Sequence, residues 1–209
     1  MIVGAFLTPF LRARREHHGL STEEANRPYP GDEIVPAPRW GWTHAIEITA
    51  ASEQVWAWVA QLGADRGGFY SYVWLENLVG CKIRNAETIH PEWEIHRGDG
   101  LSLHPKMPPL CVADVSPGRW FVASAPAVAG VQPWVAVSWL FHLQPLGPRR
   151  CRLVSRYRVA TSPDWATRLA YGPLVVEPIG FAMDRRMLRG IKERAERHAL
   201  RHDETPELS

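Results

Sequence analysis

The sequence predicts an α+β fold, in which a curved antiparallel sheet wraps around a long C-terminal helix and two short helices follow the first strand. Three observations predict it. Alternating strand patterns dominate residues 99–160. Between residues 50 and 80 helical spacing comes in two short runs. The last 25 or so residues before the tail carry one apolar stripe stepping by four, Ile179, Met183, Met187 and Ile191. A sheet gripping such a helix leaves an apolar space between the two.

Taken in order, residues 1–39 read as an N-terminal extension and proline-rich strap, 40–203 as the domain, and 204–209 as a disordered tail. Ser21 and Glu24 have capping-box spacing for a short helix. Pro28, Pro30, Pro36 and Pro38, with Gly31, exclude regular structure and predict a strap over the surface. Ile46 and Ile48 share one face of a first strand. Ser52 is placed to cap a helix over Glu53–Leu62, which Gly63 ends. A second short helix or turn runs from Tyr70 to Leu78, with Tyr70, Trp74 and Leu78 on one face. Pro117-Gly118 turns a hairpin between Leu110–Val115 and Arg119–Ser124. The strand Trp134–Leu143 buries its odd positions, Trp139 and Phe141 among them. Its partner, Cys151–Ala160, turns Leu153, Tyr157 and Val159 inward and Arg152, Arg156 and Arg158 toward solvent. In the final helix Gly190 costs about 1 kcal/mol relative to Ala unless close packing or a ligand requires it.

Bulk properties narrow the function. The 209 residues are 45% hydrophobic and 22% charged, with a net charge of +2, so no nucleic-acid partner is expected. Three cysteines, Cys81, Cys111 and Cys151, are far apart and outside any CxxC pattern, which fits a reducing, cytoplasmic setting. The apolar start is too short to span a bilayer. Residues 1–16 are expected to dock on the domain, with contact to a membrane surface as the alternative. GxxxxGK, GxGxxG and GxSxG are absent, so nucleotide chemistry and serine hydrolysis find no support and no cofactor is expected.

The stretch Gly67–Leu78 concentrates the candidate site residues. It holds four aromatics within six positions, Phe69, Tyr70, Tyr72 and Trp74, directly after a glycine pair. Large amphipathic rings suit a pocket wall, and they suit a core equally. With Tyr70, Tyr72 and Trp74, the residues Trp139, Phe141, Tyr157 and Met187 form the expected wall of a ligand cavity. Glu76, Glu92 and Asp99 are the carboxylates considered for acid–base work, but Asp99 sits in a Gly-Asp-Gly turn and Glu92 in a loop. His90, Glu92, Glu94 and His96 alternate as metal ligands would on a strand. Six residues at ~3.3 Å rise put the histidines ~20 Å apart, too far for one ion without a bend. His198 and His202 have helical spacing but no third ligand, so no metal site is expected.

Several stretches carry a family resemblance: Pro30-Gly31-Asp32-Glu33-Ile34-Val35-Pro36, Gly68-Phe69-Tyr70-Ser71-Tyr72 with Leu75-Glu76-Asn77, and Pro91-Glu92 with Gly98-Asp99. Arg152-Leu153-Val154-Ser155-Arg156 and Met187-Leu188-Arg189-Gly190-Ile191-Lys192 extend it. The chain resembles the START-like, helix-grip (SRPBCC) superfamily from about Arg27 to His198, in a bacterial branch near the polyketide cyclase/dehydrase and lipid-transport proteins. That resemblance implies a hydrophobic cavity between sheet and C-terminal helix. The superfamily's activities span lipid and hormone binding, polyketide aromatisation and cyclisation, and chaperone-type partnering, so the fold alone assigns none. No cyclase catalytic motif carries over residue by residue. The expectation is binding of a small hydrophobic or aromatic molecule, lipid or polyketide-like. The alternatives are a cyclase, aromatase or dehydratase using the same cavity, and a non-enzymatic protein or membrane interaction module. Whether the chain is an enzyme, and its oligomeric state, stay open at this level.

Overall fold

One six-stranded antiparallel sheet organises the chain in this computed structural model, which describes residues 16–78, 80, 83–128, 130–173 and 176–203. The strands are β1 (Trp40–Ile48), β2 (Gly100–Leu101), β3 (Leu110–Ser116), β4 (Trp120–Ala125), β5 (Val135–Gly147) and β6 (Arg150–Thr161), in the order β1-β6-β5-β4-β3-β2. Five helices accompany them among the described residues: α1 (Thr22–Asn26), α2 (Ser52–Ala60), α3 (Val73–Leu78), α4 (Trp165–Ala170) and α5 (Val176–Asp203). At 1.5 Å per residue α5 is about 42 Å long. It lies against β1 and α2, giving the expected helix-grip architecture. No helix among the described residues is long and apolar enough to cross a membrane.

The inner face of the sheet follows the period-2 pattern. Leu153 and Val159 of β6, Phe141 and Leu143 of β5, Phe121 of β4 and Ile48 of β1 are all buried. They meet Met187, Leu188, Ile191 and Ala195 of α5, and Val55 and Val59 of α2, in one core.

The outer face departs from expectation. Arg152, Arg156 and Arg158 do not face solvent as an ordinary strand surface would. Their side chains are only 20%, 11% and 14% exposed, because the proline-rich strap lies over them. Arg156 forks onto Asp32 (Nε–Oδ1 2.7 Å, Nη2–Oδ2 3.1 Å) and also donates to Ala25 O and the Thr43 hydroxyl. Arg158 donates to Val35 O and Pro36 O at 3.0 and 3.1 Å. Arg152 joins Glu24 at 2.6 Å to Glu47 at 3.0 Å. Beneath the strap, Tyr29, Ala45, Val122, Leu140 and Val154 form a second, smaller core. Gly31 is left-handed (φ 83°), and a Cβ there would fall 2.7 Å from Val122, so the strap's close approach requires glycine.

Local signals mostly hold. Ser21 and Glu24 form the expected capping box of α1 (3.1 and 2.9 Å). The strap is not wholly irregular, since Asp32–Ile34 makes one 3₁₀ turn. In α2, Ala51 rather than Ser52 occupies the capping position, with its N–H donating to the Gln54 side chain. Tyr70 lies outside α3 with φ 53°, so it does not share a helix face with Trp74. Glu193 of α5 pairs with Arg186, and Lys192 with Glu196. The tail 204–209, residues 1–15 and Cys81 lie outside the described residues. Cys111 and Cys151 carry free thiols.

Candidate functional site

A cavity of about 300 Å³ lies between the inner sheet face and α5. Three neighbouring strands supply one ring each: Trp42 from β1, Tyr157 from β6 and Trp139 from β5. The register explains their meeting, since Trp42 is the cross-strand partner of Tyr157, and Tyr157 of Trp139. Trp42 stacks on Tyr157 at 4.5 Å and 19°, while Trp139 meets Tyr157 edge-on at 5.9 Å and 88°. Phe69 stacks on Trp139 at 6.0 Å. Ser71, Ile83 and Leu103, from the connections between α2 and β3, complete that part of the lining. From α5 come Val176, Ile179, Gly180, Met183, Asp184 and Met187. A Cβ at Gly180 would sit 2.7 Å from the Trp42 ring, so glycine lets the helix close on the wall. Ile179 is 52% exposed and marks the mouth.

One polar network enters this apolar space. His44 and Ser155 are directly opposed on β1 and β6, and both point at Asp184 of α5. His44 Nδ1 shares a 2.6 Å hydrogen bond with Asp184 Oδ2. The Ser155 hydroxyl donates to Asp184 Oδ1 at 2.7 Å and accepts from Trp139 Nε1 at 3.0 Å. An indole nitrogen can only donate, so the direction of this chain is fixed: Trp139 to Ser155 to Asp184. His44, Ser155 and Asp184 are all buried, and of the three only Asp184 lines the cavity. The arrangement is not a nucleophilic triad, because serine and histidine both bind the carboxylate rather than each other. Burial, and secondarily Tyr171, raises the Tyr157 phenol above its ordinary pKa, so it stays protonated at neutral pH. The Trp42 indole N–H is buried without a hydrogen-bond partner.

Of the wall predicted from sequence, Trp139, Tyr157 and Met187 line this cavity, while Tyr70, Tyr72, Trp74 and Phe141 do not. Phe141 is fully buried behind the lining, against Phe121 (5.0 Å) and Trp139 (4.9 Å). Tyr70 is a structural keystone. Its hydroxyl accepts from Gln61 Nε2 (2.7 Å) and donates to Trp58 O (3.3 Å), and its N–H donates to Asn85 Oδ1 (2.7 Å). Arg194 covers its ring at 4.8 Å. A Cβ at Gly190 would lie 2.3 Å from Tyr70 O, so this glycine admits the aromatic stretch rather than the sheet. Tyr72 and Trp74 are 38% and 68% exposed and point away from the core.

The other candidates are local. Asp99 accepts from the His96 N–H (2.9 Å) and pairs with Arg66 (3.2 Å), as a turn residue. Glu92 is exposed and pairs with His90 at 3.1 Å, and His96 stands 3.7 Å from Glu94. Among the described residues no group of three or more His, Cys, Asp or Glu is placed to hold a metal ion. His198 meets Trp58 edge-on at 6.4 Å. The side chains of Glu76 and His202 lie outside the described residues.

Sequence reasoning missed His44, Ser155 and Asp184, although each left a signal. Counting back by two from Ile48 and Ile46 reaches His44. Ser155 stands between Leu153 and Tyr157 on the inward face. Asp184 interrupts an otherwise apolar helix face, four residues from Gly180 and from Leu188.

No family model matches this chain, and no curated protein does. Among solved structures, norcoclaurine synthase from Thalictrum flavum in complex with dopamine and hydroxybenzaldehyde is 14% identical, with a TM-score of 0.42 over 84% of this chain and 95% of its own. A polyketide-cyclase-like protein from Corynebacterium glutamicum is 20% identical, with a TM-score of 0.39 over 79% and 97%. The di-domain aromatase/cyclase BexL is 13% identical, with a TM-score of 0.40 over 81% of this chain and 48% of its own, so this chain spans about half of that protein. Likenesses this distant assign no chemistry to the cavity.

Proposed function

We propose that this chain binds a small hydrophobic or aromatic molecule, of lipid or polyketide-like character, in the cavity between the sheet and α5. The observation that carries this reading is the ring-lined space itself, walled by Trp42, Tyr157, Trp139 and Phe69 and closed by Met183 and Met187. Its volume falls at the lower end of ligand pockets, about 300–1,000 Å³. Affinity comes from apolar burial at ~25 cal/mol per Å², so it persists in high salt. Calorimetric titration with naphthalene, at low and high salt, tests this. Wild type takes up the probe at both, and Met183→Phe, which fills the cavity, does not. Absence of uptake by wild type, or unchanged uptake by Met183→Phe, overturns the reading.

A second reading, a proton-transfer enzyme of cyclase, aromatase or dehydratase type on the same cavity, is favoured by one observation: the Asp184 carboxylate with its His44 partner reaches the lining. Under it, the protein accelerates solvent-deuterium exchange at the carbon between ring and carbonyl of 2-tetralone, followed by NMR, and Asp184→Asn does not. An exchange rate no faster than buffer removes it.

A further inference from the structure

We infer that the ligand of this cavity carries a hydroxyl group on its apolar frame, and that Asp184 is the residue that reads it. The inference rests on the cavity being a ligand site and adds what the site selects. A carboxylate at the edge of an otherwise apolar space is costly to bury, and it persists only where its acceptor capacity is used. Asp184 has about four lone-pair sites, and His44 and Ser155 take one on each oxygen. Those two bonds hold the carboxyl group rigid, with Ser155 itself locked by Trp139. Acceptor capacity therefore remains on a group that lines the cavity and whose position is set from behind. Trp42 supplies the complementary need. Its ring forms the wall, and its N–H is buried with no acceptor. A hydroxyl answers both at once: its proton goes to Asp184, and its oxygen accepts from an indole N–H. An ether or a bare hydrocarbon lacks the proton, and an anionic head group would meet the carboxylate unfavourably. The chemical class is thus a phenol or alcohol on a ring system small enough for about 300 Å³.

The test compares 2-naphthol, 2-methoxynaphthalene and naphthalene by calorimetry on the full chain. A hydrogen bond to a charged acceptor makes 2-naphthol bind wild type at least about tenfold tighter than naphthalene, with 2-methoxynaphthalene close to naphthalene. In Asp184→Asn the preference for 2-naphthol over naphthalene shrinks to within about threefold. Trp42→Phe weakens 2-naphthol relative to naphthalene. If wild type binds 2-naphthol and naphthalene equally, or if Asp184→Asn keeps the full preference, the inference is overturned and the cavity reading stands. If neither probe binds wild type, the cavity reading falls and takes the inference with it. The wild-type series decides alone if Asp184→Asn does not fold.

Discussion

The two faces of the sheet solve the same problem differently. Each alternates large side chains with polar ones, and each has an element laid across it. On the outer face the strap lies over the arginines of β6, which bond to Asp32, Glu24 and strap carbonyls, and leaves a polar recess of about 310 Å³ beside Arg156 and Arg158. On the inner face α5 stands off, held there by Tyr70 against Gly190 at one level and by Asp184 at another. The outer face is covered by the protein's own chain. The inner face keeps a space of about 300 Å³ whose polar end, Asp184, still has capacity to accept. Burial alone therefore does not mark a site; what separates the faces is the lining of the space each keeps, charged and polar on the outer side and aromatic and apolar on the inner.

Breaking the outer clamp has the largest expected effect. Arg156→Ala leaves Asp32 with Arg158, at 3.3 Å, and the Tyr29 N–H, and strips a cation from above Tyr29. Loss of one partner from a mostly buried pair costs about 3 kcal/mol. Urea unfolding measures that loss, and limited proteolysis finds the strap cut first. Naphthalene affinity in the folded fraction stays unchanged, because Arg156 does not line the cavity. A matching loss of affinity would show that the faces are not independent.

Gly190→Ala sharpens the contrast from the inner side. The added methyl meets Tyr70 O, a backbone atom pinned by the Asn85 and Gln61 contacts. Relief requires α5 or the aromatic stretch to shift, at about 1–3 kcal/mol. Here stability and naphthalene affinity fall together. Affinity left intact would mean that the cavity does not depend on this spacing.

The smallest effect is a pH dependence confined to the outer face. His142 lies edge-on to Tyr29 at 5.9 Å. Burial, then the charges of Arg27 and Arg119, lower its pKa from 6.5 to about 4. Between those values the unfolded chain binds a proton that the folded chain refuses, so stability falls as pH drops through that window. His142→Gln flattens the slope there. Glu24 acts in a separate window. The Ser21 N–H first, and Arg152 next, lower its pKa from 4.5 to about 2, so its contribution is present above 4.5 and lost on the way to 2. A His142→Gln protein with the wild-type slope between pH 6.5 and 4 would remove His142 from the account.

The comparison also shows what the sequence carries. Period-2 alternation placed Trp139, Tyr157, Leu153 and Val159 on the inner face, and helical spacing placed Met187, because those signals depend only on the element containing the residue. The capping box of α1 is local in the same sense. Tyr70, Tyr72 and Trp74 read as one aromatic surface but separate completely: a left-handed backbone at Tyr70 drives it into the core and leaves the other two outside. No periodic pattern reports such a turn. The arginine stripe looked like a solvent face because its partners lie more than 100 residues away in sequence. The Asp184 network is likewise non-local, joining β1, β6 and α5. Each member leaves only a weak mark, a polar residue on an apolar face.

Tryptophan side-chain NMR tests the difference between the faces most directly. Indole N–H signals, assigned with single Trp→Phe variants, report on Trp42 and Trp139 inside the cavity wall and on Trp120 beneath the strap. On titration with 2-naphthol, the account predicts that Trp42 and Trp139 shift to saturation while Trp120 stays in place. A shift at Trp120 with Trp42 and Trp139 unmoved, or no shift at any of the three, would contradict it.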